Sequence, residues 1–422
     1  METIIILIFI VGYLFIALEN GIHINKAASA LLTGVVTWVI FIVFSPERHS
    51  IIVSLREHLG GISEILFFLL GAMTIVELID AHNGFDVITS RIRTKNKRLL
   101  LWIIGFVTFF LSAVLDNLTT AIVMTSMTRR LVDDRNDRLT FIGIVIIAAN
   151  AGGAWSPIGD VTTTMLWIAG NITSMNTITH LFLPSLACLL VPLIIASIGM
   201  RGGVPGQPPE KRKDIVSLEK NIVFFTGIGA LIFIPVFKSL THLPPYMGIL
   251  LGLSVLWIIT EVMHRGKEYD YRTKLSVANA LQRIDATSIL FFLGILTAVA
   301  SLEAAGILRH AADMLSSTFK EQNIILFCIG ILSSVVDNVP IVAAVISMYP
   351  HAVYPVDHAF WQMLAYAAGT GGSMLIIGSA AGVAAMGMEK IEFFWYLKRI
   401  GPLAAAGYVA GFLVLLAQNM IF

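Results

Sequence analysis

Charge is what this sequence has least of. Asp, Glu, Lys and Arg make up 13% of its 422 residues, about half the share usual in soluble domains. Hydrophobic residues reach 57% and mean hydropathy is +0.84. A soluble domain is excluded; the composition is that of an integral protein of the lipid bilayer. A net charge of +1 offers nothing that would attract nucleic acid. Cysteine is nearly absent, and Cys188 and Cys328 both sit in apolar runs, where they read as small buried hydrophobes rather than a disulfide or metal site. No His-Glu-x-x-His occurs. The Gly-x-Gly-Asp of membrane aspartyl proteases fails because Pro157 stands where its first Gly belongs, and Gly378-Ser379 has no buried histidine to activate it. An enzyme is therefore not expected. The N-terminus lacks a basic stretch before Ile4–Leu18 and an Ala-x-Ala site after it, so this run is expected to be a retained helix and not a signal peptide.

What is present is a series of apolar runs of spanning or near-spanning length. They lie near Ile4–Leu18, Ala27–Phe44, Ile62–Ile79, Thr140–Ala169, His180–Met200, Asn221–Phe237, Met247–Thr260, Ser288–Leu302, Ala359–Met388 and Pro402–Gln418. Two more, Leu99–Thr128 and Ile324–Met348, carry an Asp-Asn pair at their centres. A stretch of about 30 residues broken in the middle can cross once or enter and turn back. The charges decide between these. If both broken stretches are re-entrant hairpins and the other ten runs cross, all of the 28 Lys and Arg except Arg48, Arg56, Lys238, Arg309 and Lys320 fall on one side. The positive-inside rule makes that side cytoplasmic and leaves both termini outside, in a multi-pass protein of the cell (inner) membrane. Were the first hairpin to cross, the clusters Arg91 to Arg98 and Arg129 to Arg138 would face opposite sides.

The Asp-Asn stretch occurs twice with matching neighbours, Leu111-Ser112-Ala113-Val114-Leu115-Asp116-Asn117 and Leu332-Ser333-Ser334-Val335-Val336-Asp337-Asn338. The likeness extends outward: Ile65–Leu69 matches Ile289–Leu293, Trp38 matches Trp257, Asn150–Ala154 matches Gly369–Ser373, and Gly159 matches Gly378. Each half then holds three helices, a re-entrant hairpin, a broken helix and a last helix. Five crossings per half is odd, so the second half is inserted upside down. The expected fold is all-α, with two inverted repeats. The first covers 1–200 (hairpin 99–128, broken helix 140–169) and the second 221–422 (hairpin 324–348, broken helix 359–388), joined by a cytoplasmic linker over 201–220. Glu261–Arg283 is expected as an interfacial segment.

An ionisable residue inside an apolar run is expensive and marks function by default. The fifth run adds Asn150-Ala151-Gly152-Gly153-Ala154-Trp155-Ser156-Pro157-Ile158-Gly159-Asp160, with three glycines and a proline at membrane depth. The helix must break there, and unwound backbone is tolerated only where protein or a cavity satisfies it. A packing kink would need the same glycines, but not the polar residues crowding both sides. Asp160-Val161-Thr162-Thr163 is a plausible N-cap for the second half-helix.

The ligands on offer are carboxylates (Asp116, Asp160, Asp337), amides (Asn117, Asn150, Asn338) and hydroxyls (Thr119, Thr120, Ser156, Thr162, Thr163, Ser373, Ser379). All are hard oxygen donors, and every histidine falls in or beside a loop, so a hard cation is the natural guest. A buried carboxylate that binds Na+ can bind a proton instead. If the two compete, alternating access gives antiport with no separate coupling device, with Asp116 and Asp337 as the competing pair and Asp160 a third ligand. Glu64 and Glu77 read as structural helix-end charges; Asp133, Asp134 and Asp137 as a solvated loop; Glu19 and Lys26 as loop charges that could pair. Trp155, Trp167 and Trp361 read as packing or interfacial residues. An arsenite exporter or a Na+/dicarboxylate symporter would favour Ser in place of the tip Asp or a buried Lys or Arg near the tips, and neither is present.

The residues Asp116-Asn117-Leu118-Thr119-Thr120, Asn150 through Thr163, Asp337-Asn338 and Gly369–Ser379 resemble those of NhaD-type sodium/proton antiporters, in the ion transporter superfamily. The resemblance spans nearly the whole chain. It implies Na+ (or Li+) and H+ as substrates with no cofactor, an elevator in which hairpins and broken helices slide against a scaffold, and a homodimer held by that scaffold. It implies importance in transport for Asp116, Asn117, Asn150, Asp160, Thr162, Thr163, Asn338 and Ser373. The dicarboxylate symporters of the superfamily carry Ser-Asn-Thr where Asp116 and Asp337 stand, which favours cation exchange here. Pro340 leaves the second tip with fewer hydroxyls than the first.

Overall fold

The computed structural model describes residues 1–46, 48–89, 92, 94, 96–200, 202, 217–318 and 321–421. The linker expected over 201–220 lies outside the described residues except at 202 and 217–220, as do Arg91, Arg93, Lys95 and Lys320. All regular elements among the described residues are helices, as an all-α integral membrane protein requires.

The first half runs α1 (Glu2–Ala17), α2 (Glu19–Ile22), α3 (Lys26–Phe44), α4 (Arg48–Ala81), α5 (Asp86–Thr89), α6 (Lys97–Ser112), α7 (Asn117–Leu131), α8 (Arg135–Ala154), α9 (Val161–Ile168) and α10 (Ser174–Gly199). The second runs α11 (Ser217–Thr241), α12 (Pro245–His264), α13 (Tyr269–Lys274), α14 (Val277–Arg283), α15 (Ala286–Ala304), α16 (Ile307–Thr318), α17 (Gln322–Leu332), α18 (Asn338–Met348), α19 (Ala359–Gly371), α20 (Ala380–Glu389), α21 (Phe393–Arg399) and α22 (Gly401–Ile421). Among the described residues, eight helices (α3, α4, α8, α10, α11, α12, α15 and α22) are long and apolar enough to cross a bilayer. Of the ten expected crossings, the other two fall on α1, which has 16 residues, and on the broken pair α19/α20. Both stretches with an Asp-Asn centre are helix–turn–helix units, α6/α7 and α17/α18. Both glycine-rich runs are interrupted helices, α8/α9 and α19/α20.

Packing recurs between the halves. α3 packs on α15 as α12 packs on α4; α1 on α3 as α11 on α12; α6 on α8 as α17 on α19. The inner half-helices cross over: α7 packs on α20 and α18 on α9. Glycine permits the closest of these approaches. A Cβ on Gly152 would stand 2.2 Å from the Phe109 carbonyl oxygen, and one on Gly371 would stand 2.1 Å from that of Gly330. Serine then staples each pair: Ser112 Oγ donates to the Ala149 carbonyl at 2.6 Å and Ser333 Oγ to the Ala368 carbonyl at 2.8 Å. Gly170, at φ 79°, closes α9, with the Asn171 N–H returning to the Leu166 carbonyl at 2.9 Å.

Several details depart from expectation. α4 starts at Arg48, well before the apolar run at Ile62, so His58 lies inside a helix rather than beside a loop. Its partner is Glu303, 3.4 Å away. Cys188 is buried but Cys328 is exposed on α17: an apolar run facing lipid hides its residues from water without burying them in protein. Asp134 is not merely solvated; its side chain caps α8 through the Asp137 N–H.

Candidate functional site

Each interruption restarts as a half-helix whose N-cap is an expected site residue. Asp116 caps α7, Asp160 caps α9, Asp337 caps α18 and Ser379 caps α20. The first turn of a helix has unsatisfied N–H groups that a side-chain oxygen can accept, and its dipole favours negative charge there. Asp116 Oδ1 accepts the Thr119 N–H at 2.8 Å while Oδ2 takes the Thr119 hydroxyl at 2.6 Å. Asp160 Oδ1 accepts the N–H and hydroxyl of Thr162, both at 3.0 Å. Asp337 Oδ1 accepts the Val339 N–H at 3.2 Å, and Ser379 Oγ accepts that of Gly382 at 3.2 Å.

These caps are joined by a buried amide relay. Asn117 Nδ2 donates to Asn150 Oδ1 at 3.0 Å and to Asp160 Oδ2 at 3.1 Å. Asn150 Nδ2 donates to Ser373 Oγ at 2.8 Å and to Ser379 Oγ at 2.9 Å. Asn150 is therefore the node between both interrupted helices and the first tip. The Ser373 carbonyl is held from behind by the Tyr396 hydroxyl at 2.8 Å.

A small cavity of about 50 Å³ is lined by Asp116, Asn117, Asp160, Thr164, Asp337 and Asn338, among others. All three expected carboxylates thus face one space. A larger cavity of about 670 Å³ adjoins it through shared walls at Lys26, Met73, Val76, Leu118, Ser288 and Ala380, and Thr119 lines it. Its far wall carries Glu77, Asp80, Arg130, Arg283 and Asp285. Glu77 pairs there with Arg283 at 3.5 Å.

Other expected ligands stand back from the small cavity. Thr120 is buried and its Oγ1 has no hydrogen-bond partner among the described residues. Thr163 Oγ1 donates to the Ala154 carbonyl at 3.4 Å and Ser156 Oγ accepts the Ile158 N–H at 3.4 Å, so both brace the break. Among the described residues no three His, Cys, Asp or Glu side chains form a metal-binding cluster; a cation here would take one or two carboxylates with amide, hydroxyl and carbonyl oxygens. The tryptophans pack as expected: Trp155 meets Phe182 edge-on at 5.1 Å, and Trp361 Nε1 donates to the Tyr354 carbonyl at 3.1 Å.

Lys26 was the residue most misjudged by sequence. It does not pair with Glu19 through its side chain; Glu19 Oε1 takes its backbone N–H at 3.0 Å. The Lys26 ammonium reaches Asp337 Oδ2 at 3.5 Å. A half-buried lysine therefore does stand at the second tip, where it read as a loop charge, because α3 starts against α15 and the second hairpin comes down beside it. Thr164 was also missed, although it continues the run Thr162-Thr163-Thr164.

The chain as a whole is similar to known transporters. The family profile described as CitMHS, citrate transporter, matches residues 13–369. Sodium/proton antiporter 1 of Arabidopsis thaliana is 51% identical over 98% of this chain and 72% of its own length, and sodium/proton antiporter 2 of the same plant is 48% identical over 98% and 99%. The Na(+)/H(+) antiporter NhaD of Vibrio cholerae is 32% identical over 98% of this chain and 91% of its own. These relatives are transporters, not enzymes. The chain belongs to the citrate transporter family and, within it, stands with the NhaD-type sodium/proton antiporters.

Proposed function

We propose that this protein exchanges Na+, with Li+ as an alternative guest, for H+ across the membrane, with both competing for the buried aspartates. The observation that carries this is the convergence of Asp116, Asp160 and Asp337 on one small cavity inside an apolar protein. Three carboxylates held by half-helix N-termini cannot welcome an anion, and hard oxygens suit a small monovalent cation. With either guest bound, the unit is closer to neutral and cheaper to carry through a low dielectric.

The two halves are inverted repeats in this proposal, spanning 1–200 and 221–422 and joined at 201–220. α6/α7 enters from the cytoplasm and α17/α18 from outside, both termini lie outside, and the membrane is the cell (inner) membrane. α7, α9, α18 and α20 move as part of an elevator unit against a scaffold built on α1, α3, α4, α11, α12 and α15, and the scaffold supports a homodimer. Arg130 and Arg283, both in segments that the positive-inside rule assigns to the cytoplasm, line the 670 Å³ cavity, which supports a conformation open to the cytoplasm.

Carboxylate transport is the second reading, favoured by the family's printed description and by Lys26 at the second tip. One ammonium already paired with Asp337 does not offset three carboxylates, so cation exchange is preferred. Everted vesicles loaded with a pH dye separate the two. Na+ should dissipate an acid interior while citrate, succinate and arsenite do not, and Asp116→Asn should abolish the signal. Normal exchange in Asp116→Asn would remove that residue from the site.

A further inference from the structure

Lys26 carries a charge for which simple competition between Na+ and H+ has no use. Its backbone is pinned: its N–H bonds Glu19 Oε1 at 3.0 Å, and Asn25 Oδ1 caps the next residue at 2.9 Å. Its ammonium rests 4.4 Å from the centroid of the Phe291 ring on α15 and 3.5 Å from Asp337 Oδ2 on α18. The two side chains are 23% and 19% exposed, so the pair is only partly open to water. Lys26 lines the small cavity and the large one alike. It belongs to α3, whereas Asp337 caps the inner arm of the second hairpin.

An ammonium is a monovalent cation that cannot leave. At Asp337 it fills the place a transported cation would need, at the junction through which such a cation passes to the large cavity. We propose that Lys26 is a tethered competitor for Asp337, a specificity and positioning residue that expels bound Na+ into the 670 Å³ cavity. The sequence deepens the exchange reading above and rests on it. Na+ leaves Asp337, the Lys26–Asp337 ion pair forms, a proton from the cavity then adds to the Asp337 carboxylate, and the ion pair parts. Because its two ends lie on α3 and on the hairpin, the bridge holds the emptied unit in place until the proton arrives, and so prevents an empty return.

The test uses the full chain in everted vesicles, where added Na+ meets the cytoplasmic face. Wild-type protein must first show Na+-driven proton movement; its absence overturns the exchange reading and this proposal together. With exchange present, Lys26→Gln removes the competitor and should lower the KM for Na+ about fivefold, the size of a partly exposed ion pair. Lys26→Arg, whose guanidinium grips a carboxylate more firmly, should raise KM instead. In an Asp337→Asn background, where exchange itself is expected to fail, Na+ binding to the purified full chain is read instead, and Lys26→Gln should not change it. A merely structural lysine would not move KM in opposite directions. Unchanged KM in both Lys26 variants, or an undiminished effect in the Asp337→Asn background, overturns the proposal while leaving exchange intact. Should Lys26→Gln fail to reach the membrane, Lys26→Arg alone decides by its KM.

Discussion

Asn150 bears more of the site than any carboxylate does. It is fully buried, and its one amide group accepts from Asn117 and donates to Ser373 and Ser379 at 2.8 to 3.0 Å. Asn150→Ala deletes all three bonds. At about 1 kcal/mol net for each, the loss is about 3 kcal/mol, before any penalty for the polar atoms left behind. The Asn117 amide would keep only Asp160 Oδ2, leaving the tip of α7 tied to the first interrupted helix through the cap of α9 alone and cut off from the second. In detergent-solubilised protein this should lower the thermal midpoint by roughly 5 °C and abolish exchange in vesicles. Asn150→Asp is the control for shape: its carboxylate still accepts from Asn117, and both serine hydroxyls can turn to donate, so the fold should survive with a new charge beside Asp160. An Asn150→Ala protein with wild-type midpoint and wild-type exchange would refute the relay.

Three further outcomes follow from the same geometry. Asp160→Asn keeps an acceptor for the Thr162 N–H but gives up the Asn117 bond to Oδ2, and should destabilise by about 1 kcal/mol while losing Na+-driven proton movement; retained exchange would make Asp160 a cap and nothing more. Gly152→Ala and Gly371→Ala each push a Cβ against a backbone carbonyl and should destabilise by about 1–3 kcal/mol or more, read as lost monodisperse protein after mild heating; tolerance at both would contradict the close packing of α6 on α8 and α17 on α19. His82 follows the end of α4, is fully buried and stacks on His264 at 5.2 Å. Burial holds its pKa down to about 4, below the unfolded value, so the unfolded chain binds the extra proton. Stability is then complete above about pH 6.5 and falls as pH drops towards 4, by up to about 3 kcal/mol. His82→Phe should flatten that fall in thermal midpoints measured from pH 8 to 4.5, and an unchanged slope would exclude His82 as its source.

Much of this was legible in the sequence because the bilayer leaves few alternatives. An Asp-Asn pair in an apolar run had to sit at a break, and the helices α6/α7 and α17/α18 end and restart within a few residues of where the doubled motif demanded. Asn150 at the first break and Ser373 and Ser379 at the matching one were candidates from the repeat, the first two also from the family resemblance, and they do meet. Pairing across the chain was not legible. Sequence spacing says nothing of which loop charge a hairpin will descend upon, so Lys26 passed for a surface residue although its ammonium reaches Asp337. Hydropathy also understated α4, whose first turns mix Arg48, Arg56 and Glu57 into a helix that continues unbroken into the apolar run. Lipid-facing exposure hid the same way, as Cys328 illustrates.

Mutual exclusion of Na+ and H+ at the aspartates is open to direct measurement in the purified protein. Na+ binding followed by calorimetry at stepped pH, in buffers of different ionisation enthalpy, should show protons released on binding and an apparent Kd that rises up to tenfold for each unit of acidification. Both effects should vanish in Asp116→Asn. A Na+ affinity that is indifferent to pH, with no protons released, would contradict a shared site.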